Sequence, residues 1–357
     1  MPLFSDELSF QHGPAWRNRL ALAPLTNLQS NSDGTLTDDE HTWLHTRALG
    51  GFGRVETAAA YVDRVGRAWE GQLGVADSAQ LPGLARLAAA LRDAGAVSSV
   101  QLHHGGLRGN AAANQGTNLA PWDDPAKSAR AMTTDEVEEA ITRFVDGARL
   151  AEEAGFDGAS LHAAHGYLHG QFLDPRHNHR TDRFGGSLEN RIAPIIETLQ
   201  GIRAATGPDF QLGIRLTPEG YGIPLDEARQ HLTIVLETGL VDYVDLSLWD
   251  VRMKPRKEGG DRRLIDHFMD VPRGTTRVGV TGKVDSAAEA QWCLAQGADF
   301  VGVGIGAILH HDFAAQALND DSFAIRDRPV TREDLRAEHL GERFIDYLAD
   351  GWDDLVG

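Results

Sequence analysis

The sequence predicts an α/β fold, a single (β/α)8 TIM barrel carrying insertions at its rim. Short apolar or β-branched runs alternate with helix-length amphipathic segments from end to end, and eight of the runs are strand-like. Strands separated by helices pair in parallel, and eight such strands suit a closed barrel. The length of 357 residues fits as well, since such barrels take about 250 residues before rim insertions are added.

Taken in order, residues 19–23 read as the first strand and 38–49 as a helix; 54–62 and 79–94 repeat the pair. Residues 97–102 are the third strand and 135–154 the third helix, followed by strand 158–161, helix 189–205, strand 211–216 and helix 226–238. The sixth strand, 243–248, leads into a stretch that is only weakly helical near Leu264, and strand 277–280, helix 287–295 and strand 300–303 complete the alternation. Thr134, followed by Val137 and Glu138, reads as a cap ahead of an acidic first turn, and Ser187 as a cap before Glu189-Asn190-Arg191. Gly155, Gly207, Gly239 and Gly297 stand where helices should end. Two Pro/Gly-rich or irregular stretches, 105–125 and 248–270, follow the third and sixth strands. In a barrel that is the rim on which active sites are built, so both read as substrate-contacting loops or lids. No linker, low-complexity tract or short repeat divides residues 1–357, and one domain is expected.

A formal charge of −18 argues against nucleic acid or an anionic membrane surface as partner, because either needs a positive face. The single cysteine, Cys293, can form neither an internal disulfide nor the roughly four-thiolate shell of an iron–sulfur cluster. No apolar run approaches the ~18 residues of a membrane span, and the opening Met-Pro-Leu-Phe-Ser-Asp-Glu lacks the order of a signal peptide. The expectation is a cytoplasmic enzyme acting on small molecules; nothing in the sequence fixes its oligomeric state.

Chemistry concentrates at 161–191. His162, His165 and Tyr167 fall within six residues directly after a strand, where a loop can aim two imidazoles and a phenol at one small volume. Other strand ends carry Pro24 and Thr26, Gln101, Arg215, Thr281-Gly282 and the run Gly302-Val-Gly-Ile-Gly306. Each is polar or glycine-rich where a core would be apolar. Singly, Gln101 and Arg215 would read as structural, Arg215 in a buried ion pair; together they read as a ligand site. His162 and His165 could form half of a metal site, but no His-Glu-x-x-His and no third ligand at usual spacing accompanies them, so no metal is expected. Gly302-x-Gly304-x-x-Ala307 matches a dinucleotide fingerprint, yet too little chain follows it for a doubly wound domain. It reads instead as a phosphate cradle at the ends of strands seven and eight.

With these residues the chain resembles the old yellow enzyme family of FMN-dependent ene-reductases. The likeness runs from Asn18-Arg-Leu-Ala-Leu-Ala-Pro24 through Gly71-Gln-Leu-Gly74 and Gln101-Leu-His-His104 to Gly213-Ile-Arg-Leu216. It is densest where His-x-x-His-x-Tyr, Gln-Phe-Leu-x-Pro, Arg-Thr-Asp and Gly-Gly-Ser-x-Glu-Asn-Arg follow one another up to Arg191. The resemblance implies that Pro24, Thr26, Ala59, Gln101 and Arg215 surround the flavin ring, and that Thr281, Gly282, Gly304 and Ile305 take its phosphate. It further implies NADH or NADPH as reductant, His162 and His165 as donors to the oxygen of an enone, enal or nitroalkene, and Tyr167 as proton donor to the α carbon.

Gln101 offers the donor and acceptor that a flavin pyrimidine edge requires, and Arg215 a permanent cation. The chain departs from the family at Thr281, usually Gly, and Ile305, usually Arg, so a phosphate-side cation is missing; Gly106-Leu107 stands where Gly-Arg is usual, and Arg108 has no assigned role. The rival reading is a non-redox TIM-barrel lyase or isomerase that uses the same cradle for a phosphorylated substrate.

Overall fold

The computed structural model describes residues 2–114, 116–257, 260–352 and 354–357. Gln115 in the first rim insertion, and Glu258 and Gly259 in the second, lie outside the described residues. The barrel strands are β1 (Leu20–Leu22), β2 (Arg54–Tyr61), β3 (Val97–His103), β4 (Gly158–Ala163), β5 (Gln211–Leu216), β6 (Tyr243–Ser247), β7 (Arg277–Thr281) and β8 (Val301–Val303). All pair in parallel, each with its sequence neighbours, and β1 pairs with β8 to close the barrel.

Around it run α1 (Asp38–Leu49), α2 (Leu81–Asp93), α3 (Thr134–Glu153), α4 (Leu188–Ala205), α5 (Leu225–Glu237) and α6 (Ala287–Ala295). Among the described residues only a single 3-10 turn, Ile265–His267, takes the helix position between β6 and β7. α7 (Phe313–Asn319), α8 (Arg332–Ala337) and α9 (Glu342–Gly351) follow β8. Among the described residues no helix is long and apolar enough to cross a membrane.

Each outer helix turns one apolar stripe to the strands. In α2 that stripe is Leu84, Leu87, Ala88 and Leu91, all buried, and burying one such leucine stabilises by about 1.5–3 kcal/mol. The cap of α3 is Thr133, not Thr134. Its hydroxyl accepts from the Glu136 N–H at 3.2 Å while Glu136 reaches back to the Thr133 N–H at 2.8 Å, a reciprocal pair that only Thr133 has a glutamate three residues on to make. Ser187 caps α4.

The N-terminal end of the barrel is sealed by a hairpin-like contact between Leu8 and Trp16. The Trp16 ring lies 5.4 Å from Tyr243 and 5.0 Å from Phe300, and its N–H donates to Gln211 at 3.0 Å. Above this plug the interior is polar. Buried Glu56 accepts from Arg54, Ser160 and Ser99, so its charge is both paired and hydrogen-bonded. The other, C-terminal end carries the functional groups. Register places them abreast there, with Ala59 beside Gln101, His162 beside Arg215, and Arg215 beside Asp245. A bulge between Glu56 and Ala59 in β2 brings Ala59 into that row.

Candidate active site

Beyond β4 the chain reverses sharply, and two consecutive left-handed residues make the reversal, His165 at φ +59° and Gly166 at φ +68°. A left-handed non-glycine residue costs about 1–3 kcal/mol, and the His165 N–H bond to the Thr217 hydroxyl at 2.7 Å helps hold it. The turn sets His165 against His162, with ring centroids 5.1 Å apart, and delivers Tyr167 within 5.0 Å of His162 and 4.3 Å of His103. Beneath it, Asn178 ties Phe172 to Phe184 by donating to both carbonyls, and Arg180 pairs with Asp182. That part of the polar motif is scaffold.

A cavity of 290 Å³ opens at this end, at the lower end of the range for ligand sites. Its lining gathers Pro24, Thr26, Ala59, Gln101, His162, His165, Tyr167 and Arg215. A larger hollow of 590 Å³ beside Trp122, His177 and Arg180 contains none of these residues. Thr281, Gly282, Gly304 and Ile305 sit at the ends of β7 and β8, outside the cavity lining. The Thr281 hydroxyl is turned inward and donates to Asp245 at 2.7 Å. Gly304 is open, since an added Cβ would meet only Leu25, at 3.7 Å.

The structure adds residues for which the sequence offers no periodic signal. Trp69, Arg108, Tyr221 and Trp249 arrive on loops, and Phe344, Tyr347, Leu348 and Trp352 on or beside α9, a helix beyond the last strand and beyond every element assigned from sequence. The Arg108 guanidinium lies 5.2 Å from the ring centres of both Tyr167 and Tyr221 and donates to the His165 carbonyl at 3.0 Å.

Hydrogen bonds assign the imidazole tautomers. His162 Nδ1 accepts from the Ala164 N–H at 3.3 Å, leaving the proton on Nε2, which faces His165 Nδ1 at 3.3 Å. The second proton of the pair is then on His165 Nε2, 2.8 Å from the Ser247 hydroxyl. Burial first, then neighbouring cations and imidazoles, hold both pKa values well below the usual histidine range, so each ring is neutral with one N–H to give. Burial raises the Tyr167 phenol, with Arg108 pulling the other way, which keeps its proton in place at neutral pH.

Arg215 realises both readings open from sequence: it lines the cavity, and its Nε pairs with buried Asp245 at 3.0 Å. Gln101 is the clearest sign of a missing partner. Its Nε2 is buried without an acceptor among the described residues while the side chain faces the cavity. A carboxamide donor aimed into a cavity beside a guanidinium fits the pyrimidine edge of a flavin. On the phosphate side, main-chain groups at Gly282 and Gly304 remain, and Lys283 is directed to Asp250 at 3.8 Å.

Residues 12–320 match the NADH:flavin oxidoreductase / NADH oxidase family. The chain is 35% identical over 315 residues to a Bacillus subtilis (strain 168) protein named Probable NADH-dependent flavin oxidoreductase YqiG, covering 85% of this chain and 84% of that one. It is 32% identical over 338 residues to the NADH:acrylate oxidoreductase of Vibrio harveyi, covering 89% of this chain but 33% of that one. Against the NADH oxidase of Thermoanaerobacter brockii, 32% identical over 320 residues, it covers 84% of this chain and 48% of the relative, so it spans half or less of these two longer proteins. Among solved structures, morphinone reductase in complex with tetrahydroNAD superposes with a TM-score of 0.80 at 24% identity, covering 94% of each chain. An old yellow enzyme homologue from Zymomonas mobilis gives the same score, 0.80, at 22% identity over 94% of this chain and 96% of its own; both likenesses speak to the fold. The chain therefore belongs to the NADH:flavin oxidoreductase / NADH oxidase family, the FMN-dependent, NAD(P)H-using old yellow enzyme family.

Proposed function

We propose that the 357 residues act as one FMN-binding domain that uses NADH or NADPH to reduce electron-poor alkenes such as enones, enals and nitroalkenes. The observation that carries the reading is the convergence, in one cavity, of an unpartnered Gln101 donor, the Arg215 cation, two neutral imidazoles and a protonated phenol. Bound FMN supplies the hydride relay between the nicotinamide and the β carbon of the alkene.

Gln101 and Arg215 hold the ring, with Pro24, Thr26 and Ala59 as its near walls. The carbonyl or nitro oxygen of the substrate accepts from His162 Nε2–H in place of His165 Nδ1, and the same site stabilises the negative charge that grows on that oxygen. His165, tied to Ser247 in the resting geometry, supplies the second donor by turning its Nε2–H from that hydroxyl toward the oxygen. Tyr167 gives its proton to the α carbon, and Arg108 beside it offsets the charge left on the phenolate. The family match leaves the phosphate-substrate lyase or isomerase without support.

The test separates the two half-reactions by anaerobic stopped flow. Tyr167→Phe should slow re-oxidation by an enone about 10²–10⁴-fold, the contribution of a positioned general acid, while bleaching by NADPH stays close to wild type. Equal rates of re-oxidation in both proteins would remove Tyr167 as proton donor.

A further inference from the structure

The second rim insertion, 248–270, carries six cations: Arg252, Lys254, Arg256, Lys257, Arg262 and Arg263. Four are held by carboxylates, Arg252 by Glu289, Lys254 by Asp261, Arg262 by Asp270 and Arg263 by Asp266. Among the described residues, Arg256 and Lys257 have no carboxylate partner for their side chains. These two line a groove of 440 Å³ together with Arg176 and the turn Glu219–Ile223. Among the described residues its lining includes one carboxylate, Glu219, which accepts from the Arg256 main-chain N–H at 2.6 Å; Arg176 is shared with Asp174 at 3.4 Å. The lining is thus net positive on a chain of formal charge −18.

The groove adjoins the reaction cavity. Tyr221 lines both, and its ring lies 6.5 Å from His165 and 6.0 Å from Trp249. Trp249 in turn sits 5.7 Å from His165 and carries the Arg256 guanidinium at 5.6 Å. The partition between the two spaces is held in an unusual backbone: Gly220, Tyr221 and Gly222 have φ of +108°, +51° and +95°, and a Cβ on Gly222 would collide with Asp174. The two glycines adopt such angles freely, but Tyr221 between them is a non-glycine residue held at positive φ, strain of the kind found at ligand sites.

We propose that this groove is an anion subsite of the reaction cavity: Arg256 and Lys257 bind a phosphate or carboxylate on a reactant whose redox end lies beside His162 and His165. The inference rests on the proposed function. Two reactants can carry such a group, the dinucleotide through its phosphates and an oxidant through a carboxylate. A guanidinium and an ammonium with no carboxylate partner among the described residues, on a protein of formal charge −18, suit either one.

The experiment compares the FMN-loaded wild type with Arg256→Gln/Lys257→Gln, both exposed loop positions, and uses matched charged and neutral probes. Reduction is followed with NADPH, NADH and the neutral N-benzyl dihydronicotinamide, and re-oxidation with acetylacrylate and its neutral counterpart ethylideneacetone. In the double variant the ratio of charged-probe to neutral-probe apparent affinity should fall about tenfold or more, and its dependence on salt should flatten. A fall confined to the dinucleotides assigns the groove to the reductant, and one confined to acetylacrylate assigns it to the oxidant. An unchanged ratio in both pairs overturns the subsite. If no reductant bleaches the wild-type flavin, the functional reading fails, and titration calorimetry of the oxidised proteins with NADP+, acetylacrylate and neutral ethylideneacetone still decides the groove: charged-probe affinity that falls in the double variant supports it, and unchanged affinity overturns it.

Discussion

Mild acid tests the electrostatic state on which the donor pair depends. Burial, reinforced by neighbouring imidazoles and guanidinia, drives His103, His162 and His165 well below the usual histidine pKa, and takes His104 to about 4, His169 to about 3 and His231 to about 4. In the unfolded chain these imidazoles titrate near 6.5, so at pH 6 each carries about 0.75 proton unfolded and almost none folded. Six such groups imply the uptake of about 4.5 protons on unfolding. Burial raises the Glu40 carboxyl, which opposes the trend by at most one proton. The unfolded state thus binds more protons, and stability is present above pH ~6.5 and is lost as the pH falls, at about 1.4 kcal/mol per pH unit for each net proton. Unfolding in urea at pH 6, in weak buffer with an indicator dye, should consume about 3.5–4.5 protons per chain. An uptake below two would mean that several of these rings are charged in the native protein, and the assignment of His162 and His165 as neutral single donors would fall with them.

Three further outcomes follow from the site. Gln101→Leu removes the unpartnered buried donor, so FMN affinity measured by ultrafiltration should drop by about 1–3 kcal/mol while the apoprotein melts no earlier; unchanged affinity would remove Gln101 from the ring site. Asp245→Asn takes the counter-charge from Arg215 at 3.0 Å, and the flavin potential read by dye-equilibrated titration should rise, with no shift if Arg215 does not face the ring. Ile305→Arg should tighten FMN about tenfold by supplying a phosphate-side cation beside open Gly304, and the gain should shrink in high salt; no gain would place the phosphate elsewhere.

The strands were legible because alternation sets their phase. The run expected at 54–62 is Arg54–Tyr61, that at 97–102 is Val97–His103, and the last, 300–303, is Val301–Val303. The residues gathered in the cavity were legible for the same reason, since Gln101, His162 and Arg215 sit near the C-terminal ends of parallel strands; register sets His162 level with Arg215, and Gln101 level with Ser160, two residues earlier on the same strand as His162. What was not legible arrives by tertiary packing. Tyr221 and Trp249 reach the cavity on loops with left-handed backbones, φ +51° and +63°, which no apolar period announces. α9 reaches it because Phe344 packs edge-on against Trp43 at 5.0 Å, a contact across some three hundred residues of sequence. The side chain of Thr281 shows a subtler limit. The sequence places only the main-chain N–H of this residue in a phosphate cradle and leaves its hydroxyl without a direction; the strand turns that hydroxyl inward to Asp245.

That inward turn bears on how the two sides of the cavity communicate. Asp245 accepts from Thr281 through one oxygen and pairs with Arg215 through the other, while the Ser247 hydroxyl lies 2.8 Å from His165 Nε2 and 3.4 Å from the Arg215 guanidinium. Arg215, on the proposed flavin side, and His165, on the proposed substrate side, therefore share one hydroxyl of β6. Were His165 to turn its N–H to a substrate oxygen, Ser247 would lose a donor and could accept more fully from Arg215. On the proposed function, the displacement that would supply the oxyanion donor would also shift the Arg215 charge beside the flavin. Asp245 and Ser247 are buried polar residues where a barrel core would otherwise take apolar side chains, and on the proposed function β6 would link the flavin side to the substrate side through them.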